Sequence, residues 1–322
     1  MGEFELIQRY FARRAPSRPE VVLGIGDDCA LLAGIASLEW AVTTDLLVEG
    51  IHFLPDVDPR ALGHKSLAVN LSDLAACGAT PVCFFLSIAL PRAEPAWLEA
   101  FADGLFRLAD PFGCQLAGGD TTRSTAGVTI NITALGRVAA GATLRRSGAR
   151  AGDDVWVSGS LGSAALGLAL RRGELRTEPS EEAVAIERLE RPTPRVELGQ
   201  RLVGLATSAI DVSDGLVGDL GHVLAASAVG ADIHWEDVPC GVGLAGLNES
   251  TRRRFALAGG DDYELLFTAP AGRRSAIEAA GAAAGVPVTR IGAISAAPGL
   301  RVLDRHGEAM DSGGPAFDHF RP

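Results

Sequence analysis

Short apolar runs punctuated by glycine alternate along this chain with segments of helical spacing. Residues 38–45 (LEWAVTTD) read as a strand closing on Thr-Thr-Asp. Residues 59–77 carry apolar positions at helical intervals. Asp58 is placed to cap them and Pro59 takes the first turn, which predicts a helix. Residues 82–90 (VCFFLSIAL) form a nearly unbroken apolar run of buried-strand length, 94–109 return to the i, i+3, i+4 period, and 127–137 (GVTINITALGR) alternate as a strand. A polar joint at 145–154 (RRSGARAGDD) then interrupts the pattern. Beyond it come a strand at 154–158, a helix after SGSLG, a charged stretch at 171–182, and a strand at 208–212 running into DVSDG. A helix from Leu216 and strands at 231–235, 264–269, 288–294 and 300–303 complete the second half. The alternation predicts two mixed α/β domains, 1–147 and 148–322, each with helices layered on a sheet.

Composition narrows the classes. The longest apolar run, Pro81–Leu90, is strand-sized and far short of the ~18–20 residues a membrane span needs. The start, MGEFELIQRYFARR, carries acids early and reads as an amphipathic helix, unlike a secretory leader. These features predict a cytoplasmic protein with no membrane partner. Cys29, Cys77, Cys83, Cys114 and Cys240 form no C-x-x-C pair, so zinc knuckles and redox motifs are unsupported, and buried reduced thiols are expected. The net charge of −11 argues against nucleic acid, because no basic stripe is available to neutralise its backbone. Lys65 is the only lysine and stands in GHKS, so no P-loop exists. If so acidic a chain binds phosphates, divalent cations must bring most of the countercharge.

The aspartates point the same way. Asp27 and Asp28 stand side by side in GIGDD, where adjacent like charges are costly unless water or a cation screens them. Asp45 follows Thr43 and Thr44 at the expected end of its strand; Asp120 follows a Gly-Gly pair read as a turn; Asp211 and Asp214 flank Ser213. Taken singly, each reads as a turn residue or helix cap. Strand ends and turns are also where α/β sheets present ligand sites. Asp73 is unlike the rest. It lies within the predicted helix among Val69, Leu71, Leu74, Ala75 and Ala76, where a carboxylate needs a partner. Mg²⁺ suits such a set: it takes hard oxygen ligands, keeps waters, and is commonly shared between carboxylates and substrate phosphates. Thr43, Thr44 and Ser213 can add hydroxyl oxygens. The histidine spacing offers no zinc site and the EF-hand pattern is absent.

GEFELI, GIGDDCA, TTDLLVEGIHF, KSLAVNLSDLAACGATP, GGDTT, RSGARAGD, RPTPR, DVSDGL and GGDDYELLF occur in order from Gly2 to the closing FDHF. In this series the chain resembles the bacterial thiamine-monophosphate kinases of the PurM-like ATP-binding superfamily. GIGDD alone would point only to the superfamily; TTDLLVEGIHF with VNLSDLAACGA and GGDDYEL is far more specific. The resemblance implies a two-domain PurM-like fold whose N-terminal domain forms a dimer through a β-barrel-like interface. It implies a homodimer binding ATP and several Mg²⁺ ions, and transfer of the ATP γ-phosphoryl group to thiamine monophosphate, the last step of thiamine diphosphate biosynthesis. Carried over by position, Asp28, Thr43, Thr44, Asp45, Asp73, Asp120, Asp211 and Asp214 resemble its metal ligands. Gly119, Asp120, Arg146 and Ser213 resemble its ATP contacts. His52, Asp261 and Phe317 resemble residues that meet the acceptor. Three positions depart from familiar members: Asp261 stands for a glutamate, Phe317 for Trp or Tyr, and Ala102 for a tyrosine found in some.

The chemistry fits. The acceptor is a phosphate monoester with a second pKa of ~6, so it is mostly dianionic at neutral pH and no general base is needed. The obstacle is repulsion between polyanions, which positioning and cations relieve. Arg146 has a plainer reading as the partner of a nearby acid, His52 as a structural histidine, and Phe317 as a core residue. Two other functions stay open at this point: another PurM-like ATP-dependent synthase, or a non-catalytic Mg-nucleotide sensor.

Overall fold

The structure, a computed structural model, describes residues 21–23, 27–33 and 37–314. The expected N-terminal helix and Phe317 lie outside the described residues. The first half contains β1 (Val21–Leu23), β2 (Ala30–Ala33), β3 (Leu38–Val48), α1 (Pro59–Ala76), β4 (Thr80–Leu90), α2 (Pro95–Ala109), β5 (Gln115–Arg123) and β6 (Thr129–Ala139). Its strands form one sheet in the order β1-β2-β3-β6-β4-β5, with β4 and β5 parallel and the other pairs antiparallel. Asp58 caps α1, its side chain accepting from the Arg60 amide at 3.0 Å, with Pro59 in the first turn.

The second half contains β7 (Asp153–Ser158), α3 (Ser163–Arg171), α4 (Pro179–Glu190), α5 (Val196–Leu202), β8 (Ser208–Asp211), α6 (Leu216–Ser227) and β9 (Gly230–His234). It continues with α7 (Glu249–Ala258), β10 (Leu265–Pro270), α8 (Arg274–Ala283), β11 (Val288–Ser295), β12 (Gly299–Leu303) and β13 (Ala309–Met310). The second sheet runs β13-β12-β9-β11-β7-β10-β8, antiparallel except for β9 with β12.

Helix α1 joins the two sheets. It is buried nearly all round, as a helix inside a protein must be, and packs on α2, β3 and β6 to one side and on α5 and β8 to the other. The core around it is continuous from Leu31, Leu67 and Ile132 to Trp156, Leu198 and Phe267 of the second half. A second core lies wholly within the second half, around Val157, Leu166, Leu220 and Leu266. Where α1 meets α5, Gly199 approaches so closely that a Cβ there would lie 2.0 Å from the Ala75 carbonyl oxygen. His64 Nε2 sits 2.8 Å from the Pro192 carbonyl oxygen, and Ser72 Oγ donates to Asp211 Oδ2 at 2.7 Å across the same boundary.

Two local expectations are corrected. Asp45 does not end its strand: β3 runs on to Val48, because Leu46 to Val48 keep pairing with Asn131 to Thr129 of β6. Asp120 does not follow a turn: Gly118 and Gly119 lie inside β5, paired to Phe85 and Leu86 of β4. QLAGGDTTR has poor strand propensity, so its main-chain pairing was invisible in composition. The glycine is needed there because a Cβ on Gly119 would lie 1.8 Å from the Leu86 carbonyl oxygen. Among the described residues the first sheet is open, with β1 and β5 at its edges. The free cysteines include three buried ones, Cys29, Cys77 and Cys114, while Cys83 and Cys240 are partly exposed. No helix among the described residues is long and apolar enough to cross a membrane.

Gly199→Ala drives a methyl into the α1 backbone. It is expected to lower stability by about 1–3 kcal/mol in urea unfolding. Gly221→Ala in α6, where a Cβ meets nothing within 4 Å, serves as the control and is expected to be neutral or stabilising.

Candidate active site

Strand alternation turns Thr43 and Asp45 of β3 inward, toward α1, and Thr44 and Leu46 outward. The inward pair meets Asp73 in the last turns of α1; the Thr43 hydroxyl donates to Asp73 Oδ2. Asp28 arrives from the segment before β2 and Asp211 from the end of β8. Asp28, Asp73 and Asp211 place carboxylate oxygens within 4.8 Å of one another. Arg146 closes one side, its Nη2 donating to Asp28 Oδ1 at 2.5 Å while its amide donates to both Asp27 oxygens at 3.2 Å.

Burial and crowding hold these acids in an unusual state. Desolvation, with the Asp28 charge adding to it, pushes Asp45 to about 6 despite its hydrogen bond with Asp73. Desolvation and the Asp28 charge push Asp211 to about 8, against the Ser72 hydrogen bond and Arg146. Asp73 is driven well above the carboxylate range by burial and then by Asp45, Asp211 and Asp28. Asp28 is raised by burial, which outweighs Arg146. For Arg146, burial disfavours the charge, but Asp28 and Asp27 more than offset it and keep the guanidinium protonated. Asp73 also stands near the C-terminal, negative end of α1, which adds to its need for a cation. Asp28 Oδ2 and Asp45 Oδ2 are buried without a hydrogen-bond partner. Orphaned, converging, hard oxygens of this kind fit a divalent cation such as Mg²⁺.

The DVSDG turn is held from behind. Asp219, buried in the first turn of α6, accepts from the amides of Ser213, Asp214 and Gly215, each at 3.1 Å. The turn in turn supports the next loop: the Ser213 carbonyl accepts from the Asp261 amide at 2.9 Å and the Val212 carbonyl from Tyr263 at 2.8 Å. That loop presents Asp261 to a cleft of about 520 Å³, lined by His52, Phe53, Val57, Lys65, Leu168 and Glu190 among others. The Val48 amide donates to His52 Nδ1 at 3.0 Å, which fixes the imidazole ring.

Asp28, Thr43, Asp45, Asp73 and Asp211 therefore come together, with Arg146 against Asp28; its plainer reading, an ion pair with a nearby acid, is present in the geometry. His52 and Asp261 share the cleft. Thr44 is turned away: its hydroxyl pairs with Thr133 and Asn131 on the outer face. Gly119 and Asp120 lie on edge strand β5, three strand spacings from β3, or about 14 Å. Ser213 and Asp214 sit on the turn held by Asp219. Ala102 lies on α2 and lines neither the cleft nor the carboxylate cluster. Reasoning from sequence missed Lys65, Asp219 and Tyr263 as parts of this region. Lys65 was singled out only to exclude a P-loop. The spacing of Asp219, four residues after Gly215, was the signal that could have found it.

Residues 26–138 match the family model AIR synthase related protein, N-terminal domain, and residues 150–305 match its C-terminal counterpart. The thiamine-monophosphate kinase of Salmonella typhimurium (strain LT2) is 46% identical over 322 residues, covering 99% of this chain and 98% of the relative. The chain belongs to the thiamine-monophosphate kinase family. A crystal structure of the thiamine-monophosphate kinase from Stenotrophomonas maltophilia K279a is similar at a TM-score of 0.81 and 46% identity, covering 96% of this chain and 98% of that one. A second structure, described as AaThiL complexed with AMPPCP and TMP, is similar at a TM-score of 0.84 and 32% identity over 99% of this chain and 97% of that one. The thiamine-monophosphate kinase family thus shares both halves of this architecture.

The raised carboxyls carry a pH signature. An acid whose folded value lies above its unfolded value of 3.8 binds its proton more tightly when folded. Its contribution to stability is present at low pH and is lost as pH rises through 6 to 8. The melting temperature of the metal-free protein is expected to fall between pH 6 and pH 8. Added Mg²⁺ is expected to raise it more at pH 8 than at pH 6; an equal shift at both would contradict the metal reading of the cluster.

Proposed function

We propose that this chain transfers the γ-phosphoryl group of ATP to thiamine monophosphate, giving thiamine diphosphate and ADP. The observation that carries the reading is the convergence of Asp28, Asp73 and Asp211 beside the His52–Asp261 cleft, in a chain 46% identical to a thiamine-monophosphate kinase over its length. The cluster offers a cation site and the cleft offers mostly apolar walls with one acid facing it from the Asp261 loop. The neighbour complexed with AMPPCP and TMP supports the same pair of substrates.

Asp28, Asp45, Asp73 and Asp211, with the Thr43 hydroxyl and Asp214 close by along the chain, would hold Mg²⁺. Bound there, Mg²⁺ neutralises phosphate oxygens and so lets two polyanions meet. The chain's own groups do the rest. Arg146, locked to Asp28, adds a fixed positive charge that deprotonation cannot remove. Ser72 orients the Asp211 carboxylate and Thr43 that of Asp73. Asp219 holds the turn that carries Ser213 and Asp214. The dianionic acceptor needs no base, so the site has to position groups and exclude repulsion, without moving a proton.

The outer face of the first sheet supports a homodimer. Leu46 (54% exposed) and Phe85 (41% exposed) stand on it with the exposed strand β5. A second copy seated there would cover apolar side chains and meet Gly119 and Asp120. Residues 1–147 and 148–322 are proposed as the two domains, and the cytoplasm, where ATP is at hand, as the location.

Chromatography of a mixture of the chain, ATP, Mg²⁺ and thiamine monophosphate is expected to show thiamine diphosphate with matching ADP, abolished by EDTA. ADP without thiamine diphosphate would favour a different acceptor, and no turnover with ATP still bound would favour a nucleotide sensor. Asp45→Asn is expected to fold and to lose turnover. Light scattering at micromolar concentration is expected to give twice the chain mass, and a monomeric mass would overturn the dimer.

A further inference from the structure

The cleft beside the carboxylates contains the chain's sole lysine. Lys65 and Asp73 share α1, eight residues apart, so helical rise separates them by about 12 Å along the axis. Lys65 therefore marks the end of the site remote from the metal-binding acids. Its side chain is only 4% exposed; Nζ lies 3.1 Å from Asp261 Oδ2 and donates to the His52 carbonyl at 3.5 Å. The other oxygen of Asp261 accepts from the Tyr263 hydroxyl at 3.1 Å. Both carboxylate oxygens are thus engaged, one by an ammonium and one by a phenol.

The backbone beneath is equally constrained. Asp261 has φ +67° and Tyr263 φ +49°, left-handed conformations that cost energy in residues other than glycine and persist only where the surroundings dictate them. Here the surroundings are the Ser213 and Val212 carbonyls and, for the intervening Asp262, the Gly162 amide, which donates to its Oδ2 at 2.7 Å. So much local constraint is converging on the placement of one carboxylate in the cleft. The other cleft acid, Glu190, is already paired with Arg171 at 3.4 Å.

We propose that Lys65 is the positioning residue of the acceptor site: through its ion pair it fixes the Asp261 carboxylate where the cationic heterocyclic end of the acceptor binds. The inference rests on thiamine monophosphate being the acceptor. A thiazolium ring is permanently positive, so an oriented carboxylate in a mostly apolar cleft is the group that recognises it. Aspartate is one methylene shorter than glutamate and reaches less far. Its aim therefore depends more on what holds it. An ammonium buried against one of its oxygens, with the Tyr263 hydroxyl on the other, fixes the orientation of the carboxylate. Lys65 stands about two helical turns from Asp73 along α1 and is paired with Asp261, so its role is assigned to acceptor binding. It sets binding of the acceptor and leaves the chemical step alone.

The test is steady-state kinetics of the full chain with Lys65→Met, Asp261→Asn and the double variant. Lys65→Met is expected to raise KM for thiamine monophosphate about tenfold, leaving kcat and the KM for ATP within about twofold of the starting protein. In the Asp261→Asn background the same change is expected to add less than about twofold, because the two variants remove one interaction. An unchanged acceptor KM, an equal rise in both KM values, a loss confined to kcat, or full additivity would each overturn the proposal. If Lys65→Met fails to fold, Lys65→Arg and NMR decide. With a single lysine, ¹⁵N-lysine labelling gives one side-chain ammonium signal. That signal is expected to shift on saturation with thiamine monophosphate and to stay put with an ATP analogue, and Lys65→Arg is expected to change acceptor KM with kcat preserved. An ammonium signal blind to the acceptor overturns the inference. A starting protein that converts no thiamine monophosphate would instead fail the proposed function.

Discussion

Carboxylates within 4.8 Å of one another inside a protein repel, because burial weakens the screening that bulk water gives. Much of this structure is arranged around that repulsion. Asp28 is held by Arg146, Asp73 by Thr43 and Asp211 by Ser72, so each acid has one oxygen engaged by the protein. Two oxygens in the cluster region, on Asp28 and Asp45, are buried with no hydrogen-bond partner. Hydrogen bonds and a single guanidinium fix the geometry but leave the charge uncompensated. The donor set fits a cation, and among the described residues Arg146 is the one basic side chain paired with the cluster.

Helix α1 carries the consequence outward. Its late turns present Ser72 and Asp73 to the carboxylate cluster and its early turns present Lys65 to the cleft, while Asp58 and His64 tie it to α4 and the chain after it. Spacing between the carboxylate cluster and the cleft lysine is thereby set along one helix.

Much of this was legible in the sequence where a local rule operates. The start of α1 follows from Asp58 and Pro59, β4 from its apolar run, and Asp73 stands out as a carboxylate among leucines and alanines. Other features depend on partners distant in sequence. β5 is a strand because β4 offers it hydrogen bonds, which no property of QLAGGDTTR announces. The reach of β3 past Asp45 is set by β6 in the same way. Lys65 looked like an isolated cation until the fold put Asp261 against it, and Asp219 looked like an ordinary helix residue until three amides of the preceding turn were found on its carboxylate. Thr44 and Asp120 matched a pattern by position, yet alternation and strand order direct them to the outer face and the far edge.

The close seating of Gly199 on Ala75 has a further meaning. Backbone touches backbone there, within a core that runs without interruption from one sheet toward the other. Such a joint has no slack for a hinge. In packing terms α1 belongs mainly to the first half but also forms a wall of the second, against α5 and β8. A cut in the polar joint at 145–154 would divide the chain at its most loop-like point and yet split its largest core, leaving two fragments that each lack one wall.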